Sequence, residues 1–226
     1  MQLRLLQHRV LSQELLPLAS PADRRANLAD IRRINSLTLA RRRLLALLRQ
    51  YLPPTAPFTF LDVGGASGDM AQAVQSAFPA SRAFVLDLDP RNLQGASPRR
   101  FAADAFRLPL ANSSCDVVHC SLFLHHFSNP DCVRLLVEMH RVARRLVLVQ
   151  DLHRHPLSYH FLRATRPLLR WHPLTVHDGE LSVAAAWRRP ELASLLELSH
   201  LRPHAHISWH FPSFRYFIAI QKPNCD

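Results

Sequence analysis

A glycine-rich turn between a predicted strand and a predicted helix gives the clearest chemical signal in the sequence. The segment FLDVGGASGDM covers residues 60–70 and contains Gly64, Gly65 and Gly68. Glycine adopts positive φ angles readily and lets a ligand approach the backbone without a Cβ in the way. The helix that follows would offer free backbone N–H groups and the positive end of its dipole. The segment therefore predicts a site for a nucleotide-like cofactor.

The spacing of the glycines distinguishes two classes of cofactor site. A dinucleotide fingerprint reads G-x-G-x-x-G, but counted from Gly64 its second and third glycines are replaced by Ala66 and Asp69. The segment instead fits acid-x-Gly-x-x-x-Gly, starting at Asp62 and ending at Gly68. This pattern resembles the first motif of class I S-adenosylmethionine-dependent methyltransferases, D-x-G-x-G-x-G. The departure at Ala66 narrows the turn and predicts moderate cofactor affinity. An ordinary strand-to-helix turn is the alternative.

A second acid follows where this family needs one. The apolar run FVLDLDP (84–90) predicts a second buried strand. An acid at the end of that strand can accept both hydroxyls of a ribose, and Asp87 is the candidate. Asp89 competes for the role, but Asp89 followed by Pro90 is more typical of a helix start.

The resemblance also implies roles beyond the second strand. In FAADAFRLPLANSSCDVVHCSLFLHHF (101–127), Asp104 would accept the adenine amino group, Ala105 and Phe106 would line the adenine, and 115–120 would be the fourth strand. The fold it implies is α/β, a Rossmann-like doubly wound sheet in the order 3-2-1-4-5-7-6, last strand antiparallel, with N-terminal helices and a helical lid. The implied cofactor-binding set is Asp62, Gly64, Gly65, Ala66, Gly68, Asp87, Leu88, Asp104, Ala105, Cys120 and Ser121.

Two helical regions should enclose the acceptor. Ser20 before Pro21 and Asp23 predicts a capped helix start, and the leucine-rich run beyond it stops at Pro53 and Pro54. The segment 153–183 is rich in histidine and aromatic residues and predicts a lid, with apolar side chains at Leu157, Phe161, Leu162 and Leu168. Residues 189–200 predict a helix, and 204–211 with 214–221 a closing antiparallel pair. We expect a single domain made of a helical cap (1–53), a cofactor-binding core (54–151), a lid (152–188) and a C-terminal helix and hairpin (189–226).

Histidines concentrate in the second half of the chain, with thirteen of the fourteen from His119 onward. His125 and His126 directly follow the fourth strand, where a cofactor methyl would point, and His177 lies in the lid. A neutral histidine could take the proton from a phenol or enol as its oxygen attacks. We predict that the catalytic base is among these three, with simple packing against the cofactor as the alternative. His119 is expected to face the core.

The sequence predicts no metal site. No histidine pair has the H-E-x-x-H arrangement, and no cysteine or acid companions complete a ligand set. The four cysteines, Cys115, Cys120, Cys132 and Cys225, show no C-x-x-C spacing. Cys115 and Cys120 are expected to be buried reduced thiols on the fourth strand.

Composition fits one globular domain. The chain has 226 residues, of which 48% are hydrophobic. No run approaches the 18 or more apolar residues of a membrane span, and the N-terminus is no convincing signal peptide, so we expect a cytoplasmic protein, monomeric or homodimeric. The net charge is +11, with arginine pairs scattered along the chain. A solvated basic surface is the main interpretation; a face for nucleic acid, membrane or an acidic carrier protein is the alternative.

The tetrapeptide after the fourth strand argues against amino methylation of nucleic acid. Methyltransferases that act on exocyclic amines typically carry (N/D/S)-P-P-(Y/F) there, whereas this chain has Cys120-Ser121-Leu122-Phe123. The chain is similar to ubiquinone/menaquinone-biosynthesis and bacterial natural-product methyltransferases of secondary metabolism. That resemblance implies O-methylation of a small apolar hydroxylated acceptor, such as a phenolic, quinol or polyketide product. An RNA methyltransferase and a non-catalytic cofactor-binding protein stay open as alternatives.

Overall fold

A central sheet with helices on both faces forms the body of the protein. The computed structural model describes residues 6–53, 55–94, 99–211 and 213–222. The strands are β1 Thr59–Val63, β2 Arg82–Asp87, β3 Arg100–Ala102, β4 Cys115–Ser121, β5 Ala143–Leu152, β6 Ala205–His210 and β7 Arg215–Gln221. The helices are α1 Pro21–Leu37, α2 Ala40–Tyr51, α3 Asp69–Ala77, α4 Asn129–Val142, α5 Pro156–Leu169, α6 Pro173–Ala185 and α7 Arg189–Leu198.

The strand order is the predicted one, β3-β2-β1-β4-β5-β7-β6. Strands β1 to β5 pair in parallel, and β7 runs antiparallel to both β5 and β6. Because β7 is reversed, it begins at the edge where β5 ends, with Arg215 opposite Leu152. The ends of β1, β2, β4 and β5 and the start of β7 therefore share one edge, the usual position of ligands in open α/β sheets.

Two apolar layers hold the helices on the sheet. On one face Leu61, Val118 and their neighbours pack against α4 and α7. On the other face Phe60, Val117 and their neighbours pack against α2 and α3. Alternate residues of one strand point to opposite faces, so strands covered on both faces are apolar almost throughout. Cys115, Cys120 and Cys132 are free and buried; Cys225 lies outside the described residues.

The N-terminal helical run is divided, which the sequence did not indicate. Helix α1 begins as predicted, with the Ser20 hydroxyl accepting from the backbone N–H of Asp23. It ends before Leu39, whose φ of 58° is left-handed and breaks the helical path. Helix α2 then runs to Tyr51. Pro54 lies outside the described residues.

No helix starts at Asp89 and Pro90, contrary to the sequence prediction. Residues 90–94 form turns instead, with the N–H of Asn92 donating to the carbonyl of Asp89. The Asp89 carboxylate accepts from the Arg91 side chain and pairs with Arg24. These contacts tie the segment to α1 and compete with helix propagation.

The lid is a pair of helices, α5 and α6, which pack on each other. Only part of its predicted apolar face turns inward. Phe161 and Leu162 face the pocket described below, whereas Leu157 and Leu168 are exposed. In the part of the chain that the structure describes, no helix is long and apolar enough to cross a membrane.

Candidate active site

A cavity of about 330 Å³ lies at the strand ends between the sheet and the helices. The glycine-rich turn forms its floor, α1 and the lid helices form its walls, and the start of β7 closes one side. It therefore contains both the predicted cofactor turn and the predicted acceptor region.

The turn itself has the conformation that its glycines permit. Gly64 and Gly68 have φ angles of 65° and 70°, and a Cβ at Gly64 would overlap the ring of Phe123. Gly64 is therefore required on two grounds, backbone conformation and space. Ala66 also has a positive φ, 41°, which costs of order 1 kcal/mol in a residue with a Cβ. Alanine in place of the middle glycine is thus tolerated, at a small conformational cost.

Asp87 stands at the end of β2 beside this turn. Its Oδ2 accepts from the N–H of Ala66 at 3.2 Å, and its Oδ1 accepts from the N–H of Asp89 at 2.9 Å and from the Asn92 amide at 3.2 Å. Burial raises the pKa of Asp87, while these hydrogen bonds oppose the rise. The carboxyl group is held against the turn and lines the cavity.

Asp62 is more deeply placed than its motif suggests. Its Oδ1 lies 2.8 Å from Nδ1 of His119, and both side chains are almost fully buried. Burial raises the pKa of Asp62, against the opposing effect of His119. His119 faces the core, as predicted, where its ring stacks on Phe60.

The cavity brings together only part of the predicted cofactor set. Asp62, Gly64, Gly65, Ala66, Asp87 and Ser121 line it. The others lie outside its lining: Gly68 precedes α3, Leu88 is 73% exposed, Asp104 is exposed and accepts from the N–H of Phe106, and Ala105 and Cys120 are buried in the core.

Two of the three predicted base candidates lie in the cavity wall. His125 and His126 belong to a short 3-10 turn, Leu124–His126, directly beyond β4. His125 is only 2% exposed, and its Nδ1 lies 2.6 Å from Oδ1 of Asp151. The other oxygen of Asp151 accepts the backbone N–H of His125 at 3.1 Å. Asp151 therefore fixes both the ring and the backbone of this histidine.

Opposing effects set the protonation of this pair. Burial alone would lower the pKa of His125, but the carboxylates of Asp151 and Glu14 reverse that effect and the pKa is raised. Burial would raise the pKa of Asp151, but His125 outweighs it and the pKa is lowered. Burial and the adjacent His125 lower the pKa of His126 to about 3. Asp151 is thus ionised and His126 neutral at pH 7.

His177 is separated from the other two. It lies on α6 with about half of its side chain exposed, and its Nδ1 is 2.9 Å from Oδ1 of Asp178. It is absent from the cavity lining, whereas Asp178 faces inward and accepts the N–H groups of Leu15 and Leu16.

The segment before α1 brings an unpredicted acid into the site. Arg9 donates to the backbone carbonyls of His125 and Ala185, which fastens this segment to the rim. Glu14 then accepts from the Ser182 hydroxyl and lies 4.0 Å from Nε2 of His125. One ligand atom each of Glu14, His125 and His126 lies within 4.8 Å of the others, close enough to share a metal ion, although the sequence predicted none.

Sequence reasoning therefore missed Glu14, Asp151 and, as shown below, Arg215. Asp151 carried a usable signal, because it is an acid at the end of an apolar strand, β5, just as Asp87 is at the end of β2. Glu14 carried none, since it lies in an irregular segment with no motif.

Comparison with known proteins agrees with this geometry. A family model described as a methyltransferase domain matches residues 61–147, from β1 into β5. The malonyl-[acyl-carrier protein] O-methyltransferase of Dechloromonas aromatica is 32% identical over 174 residues, 69% of this chain and 66% of that protein. The chain belongs to the class I S-adenosylmethionine-dependent methyltransferases.

Other similarities to this methyltransferase are shorter in sequence or are similarities of fold at low identity. The strychnine O-methyltransferase of Strychnos nux-vomica is 36% identical over 90 residues, 37% of this chain and 24% of that protein. The structure of magnesium protoporphyrin IX methyltransferase from Synechocystis PCC 6803 has a TM-score of 0.54 at 14% identity and covers 81% of each chain. The chain thus spans less than two thirds of these curated relatives, and the structural match supports the fold.

The cavity fits the cofactor of this family, S-adenosylmethionine. The backbone of the Gly64 turn and the carboxyl group of Asp87 both line it. Two buried polar groups in the lining, the Ser121 hydroxyl and part of the Arg215 guanidinium, have no partner among the described residues. Unsatisfied buried polar groups are costly, so these are sites where a polar ligand would be stabilised.

Proposed function

We propose that this methyltransferase transfers the methyl group of S-adenosylmethionine to a hydroxyl oxygen of a small apolar acceptor, such as a phenolic, quinol or polyketide product. The observation that carries the proposal is the buried His125–Asp151 pair in the wall of the cavity that contains the glycine-rich turn. A base is needed only where the acceptor arrives protonated, as a hydroxyl does.

The pair is arranged for removal of that proton. Ionised Asp151 accepts from Nδ1 of His125, which leaves Nε2 without a proton in the neutral ring. Nε2 accepts the hydroxyl proton, and the imidazolium that forms is stabilised by Asp151 and Glu14. Bound S-adenosylmethionine supplies an already activated methyl group, so alignment and deprotonation remain as the protein's tasks.

The cavity wall supports an apolar acceptor. Ile31 and Ile34 of α1, Phe161 and Leu162 of α5 and Val183 of α6 all line the cavity. Burial of an apolar acceptor here is favourable by about 25 cal/mol per Å². Polar groups near His125 would orient the hydroxyl of the acceptor. A mainly apolar lining with a few orienting polar groups is typical of small-molecule sites.

A second candidate is methylation of a carboxyl group carried by an acidic protein. It is supported by the similarity to a malonyl-[acyl-carrier protein] O-methyltransferase and by the net charge of +11, which attracts acidic partners. A carboxylate needs no base, so this candidate leaves the His125–Asp151 pair without a task.

The test is methyl transfer from radiolabelled S-adenosylmethionine into an extract of the native host, with His125→Ala as the matched control. Label in the organic phase that depends on His125 supports the hydroxylated acceptor. Label in precipitated protein favours the carrier-bound acid, and label released by ribonuclease favours RNA. Absence of label everywhere, with cofactor binding intact, favours a non-catalytic cofactor-binding protein.

A further inference from the structure

Arg215 is a buried cation with unused donors in the cavity wall. It is the first residue of β7 and is 1% exposed. Its Nη2 donates to Oδ1 of Asn35 at 2.8 Å, whereas Nε and Nη1 have no hydrogen-bond partner among the described residues. Within that part of the chain no Asp or Glu forms an ion pair with it, although its side chain lines the cavity.

Such an arrangement is costly for the protein alone. Burial lowers the pKa of Arg215 to about 10, and the charges of Asp151 and Asp69 oppose the fall. The guanidinium is therefore still charged at neutral pH. A buried charge without a close counter-ion is expensive, and an anion in the cavity would offset that cost.

A second buried arginine shows what a purely structural one looks like in this fold. Arg154 is 2% exposed, and its donors have close acceptors. Its Nε donates to the carbonyl of Leu6 at 3.2 Å, Nη1 to that of Ala186 at 2.6 Å, and Nη2 to Oε1 of Glu191 at 2.6 Å. Arg154 therefore serves folding, whereas Arg215 has donors left for a ligand.

We infer that Arg215 binds a carboxylate of the ligand that occupies the cavity. The surroundings favour an anion of single charge, because Asn35 links Arg215 to the carboxylate of Asp69, which would repel a doubly charged phosphate more strongly. Asn35 helps to position the group: its Oδ1 accepts from Arg215 and its amide donates to Oδ2 of Asp69 at 3.0 Å.

Two sources carry this group, the amino-acid end of the cofactor and an acidic acceptor. The hydrogen bonds from Arg215 through Asn35 reach Asp69, the first residue of α3, next to the glycine-rich turn. A cofactor bound at this turn would have its amino-acid end close to the same hydrogen-bond network. The lid helices α5 and α6 line the same cavity, so the carboxylate of an acceptor bound against them is the other source. The inference rests on the proposed placement of the cofactor in this cavity.

Calorimetric binding separates the sources. S-adenosylhomocysteine and its decarboxylated analogue are titrated into the wild type, Arg215→Met and Arg215→Lys, and benzoate and benzamide into the same proteins with S-adenosylhomocysteine bound. If the carboxylate belongs to the cofactor, Arg215→Met should weaken the binding of S-adenosylhomocysteine about 10- to 100-fold, the loss of a hydrogen bond to a charged group. The affinity for the decarboxylated analogue should not change. If the carboxylate belongs to the acceptor, Arg215→Met should bind S-adenosylhomocysteine with unchanged affinity. The variant should then lose the preference for benzoate over benzamide.

Stability measurements serve as the control. Arg154→Met should lower the melting temperature, because it leaves two carbonyls and Glu191 unpaired. Arg215→Met should lower it less, because it leaves one acceptor unpaired, Oδ1 of Asn35, and removes an uncompensated charge. The inference is overturned if Arg215→Met binds all four compounds as the wild type does, or if it loses as much stability as Arg154→Met. A protein that shows the predicted carboxylate dependence and transfers no methyl group would instead refute the proposed function alone.

Discussion

Two buried His–Asp pairs lie on neighbouring parts of the sheet, and they differ in what surrounds them. In both, Nδ1 of the histidine contacts a carboxylate, at 2.8 Å for His119–Asp62 and 2.6 Å for His125–Asp151. His119 lies inside β4, where its Nε2 is buried with no hydrogen-bond partner in the described part of the chain. His125 lies just past the end of β4 and lines the cavity. The same pair of side chains is therefore structural within a strand and available for chemistry beyond it.

The pKa values of the carboxyl groups in the two pairs are also shifted in opposite directions. Burial raises the pKa of Asp62, whereas the pKa of Asp151 is lowered because His125 outweighs burial. Asp151 additionally accepts the backbone N–H groups of His125 and Leu152, which stabilise its charged form. Of the two, the His125–Asp151 pair combines a carboxyl group of lowered pKa with an imidazole that lines the cavity.

The largest expected effect comes from removing the imidazole of the cavity pair. His125→Ala should reduce the rate of methyl transfer by about 10²- to 10⁴-fold, the usual contribution of a general base. Affinity for S-adenosylhomocysteine should change little, which calorimetry checks. His177→Ala is the control, since that side chain is half exposed on α6 and should retain activity. Equal losses of methyl-transfer rate in both variants would show that His125 has no special role as a base.

Changing the carboxylate of the same pair should alter the pH profile. The raised pKa of His125 means that the neutral, basic form grows only as the pH rises through that value, so the rate should increase with pH in that range. Asp151→Asn removes the charge that raises the pKa, so the rising limb should move to lower pH while the maximum falls by about tenfold or more. An unmoved limb would show that Asp151 does not act on His125.

On the cofactor side, Asp87→Ala should weaken S-adenosylmethionine binding by at least about tenfold, roughly the loss of a charge-assisted contact of 1.5–3 kcal/mol. Asp104→Ala provides the comparison, because Asp104 is exposed and outside the cavity lining, and a smaller loss is expected. If the Asp104 variant lost more affinity than the Asp87 variant, the ribose assignment would belong elsewhere.

The strand pair should respond in stability rather than in catalysis. His119→Leu leaves Asp62 buried without its partner, which should cost about 1–3 kcal/mol in the free energy of unfolding. Denaturant titration measures the loss, and the midpoint of the pH–rate profile should stay where it is in the wild type. A displaced midpoint would mean that the two pairs are coupled.

The smallest effect is expected from metal removal. Glu14, His125 and His126 could share a metal ion, but a base at His125 requires its Nε2 to be free of one. Prolonged treatment with EDTA should therefore leave the rate of methyl transfer unchanged. A loss that Zn²⁺ or Mg²⁺ restores would replace the acid–base role of His125 by metal binding.

The sequence predicted the fold and the glycine-rich turn that lines the cavity because the signals there are local. Strand β1, the turn at Gly64 and the acid Asp87 follow each other within one strand–turn–helix–strand unit, so spacing alone relates them. Local patterns failed at two places. Leu39 divides the N-terminal helices, and the contacts of Asp89 with Arg24 and Arg91 replace the helix predicted there.

The sequence by itself thus determined the sheet, the family and the position of the cofactor turn. Only the tertiary structure decided the acceptor side, where Glu14, His125, Asp151 and Arg215 come from distant segments. Their meeting depends on the strand order, which places the end of β5 beside the start of the reversed β7, and on the N-terminal segment that crosses the rim. Periodicity records which residues are buried, but not which strand ends become neighbours, and the proposed catalysis at this edge depends on those neighbours.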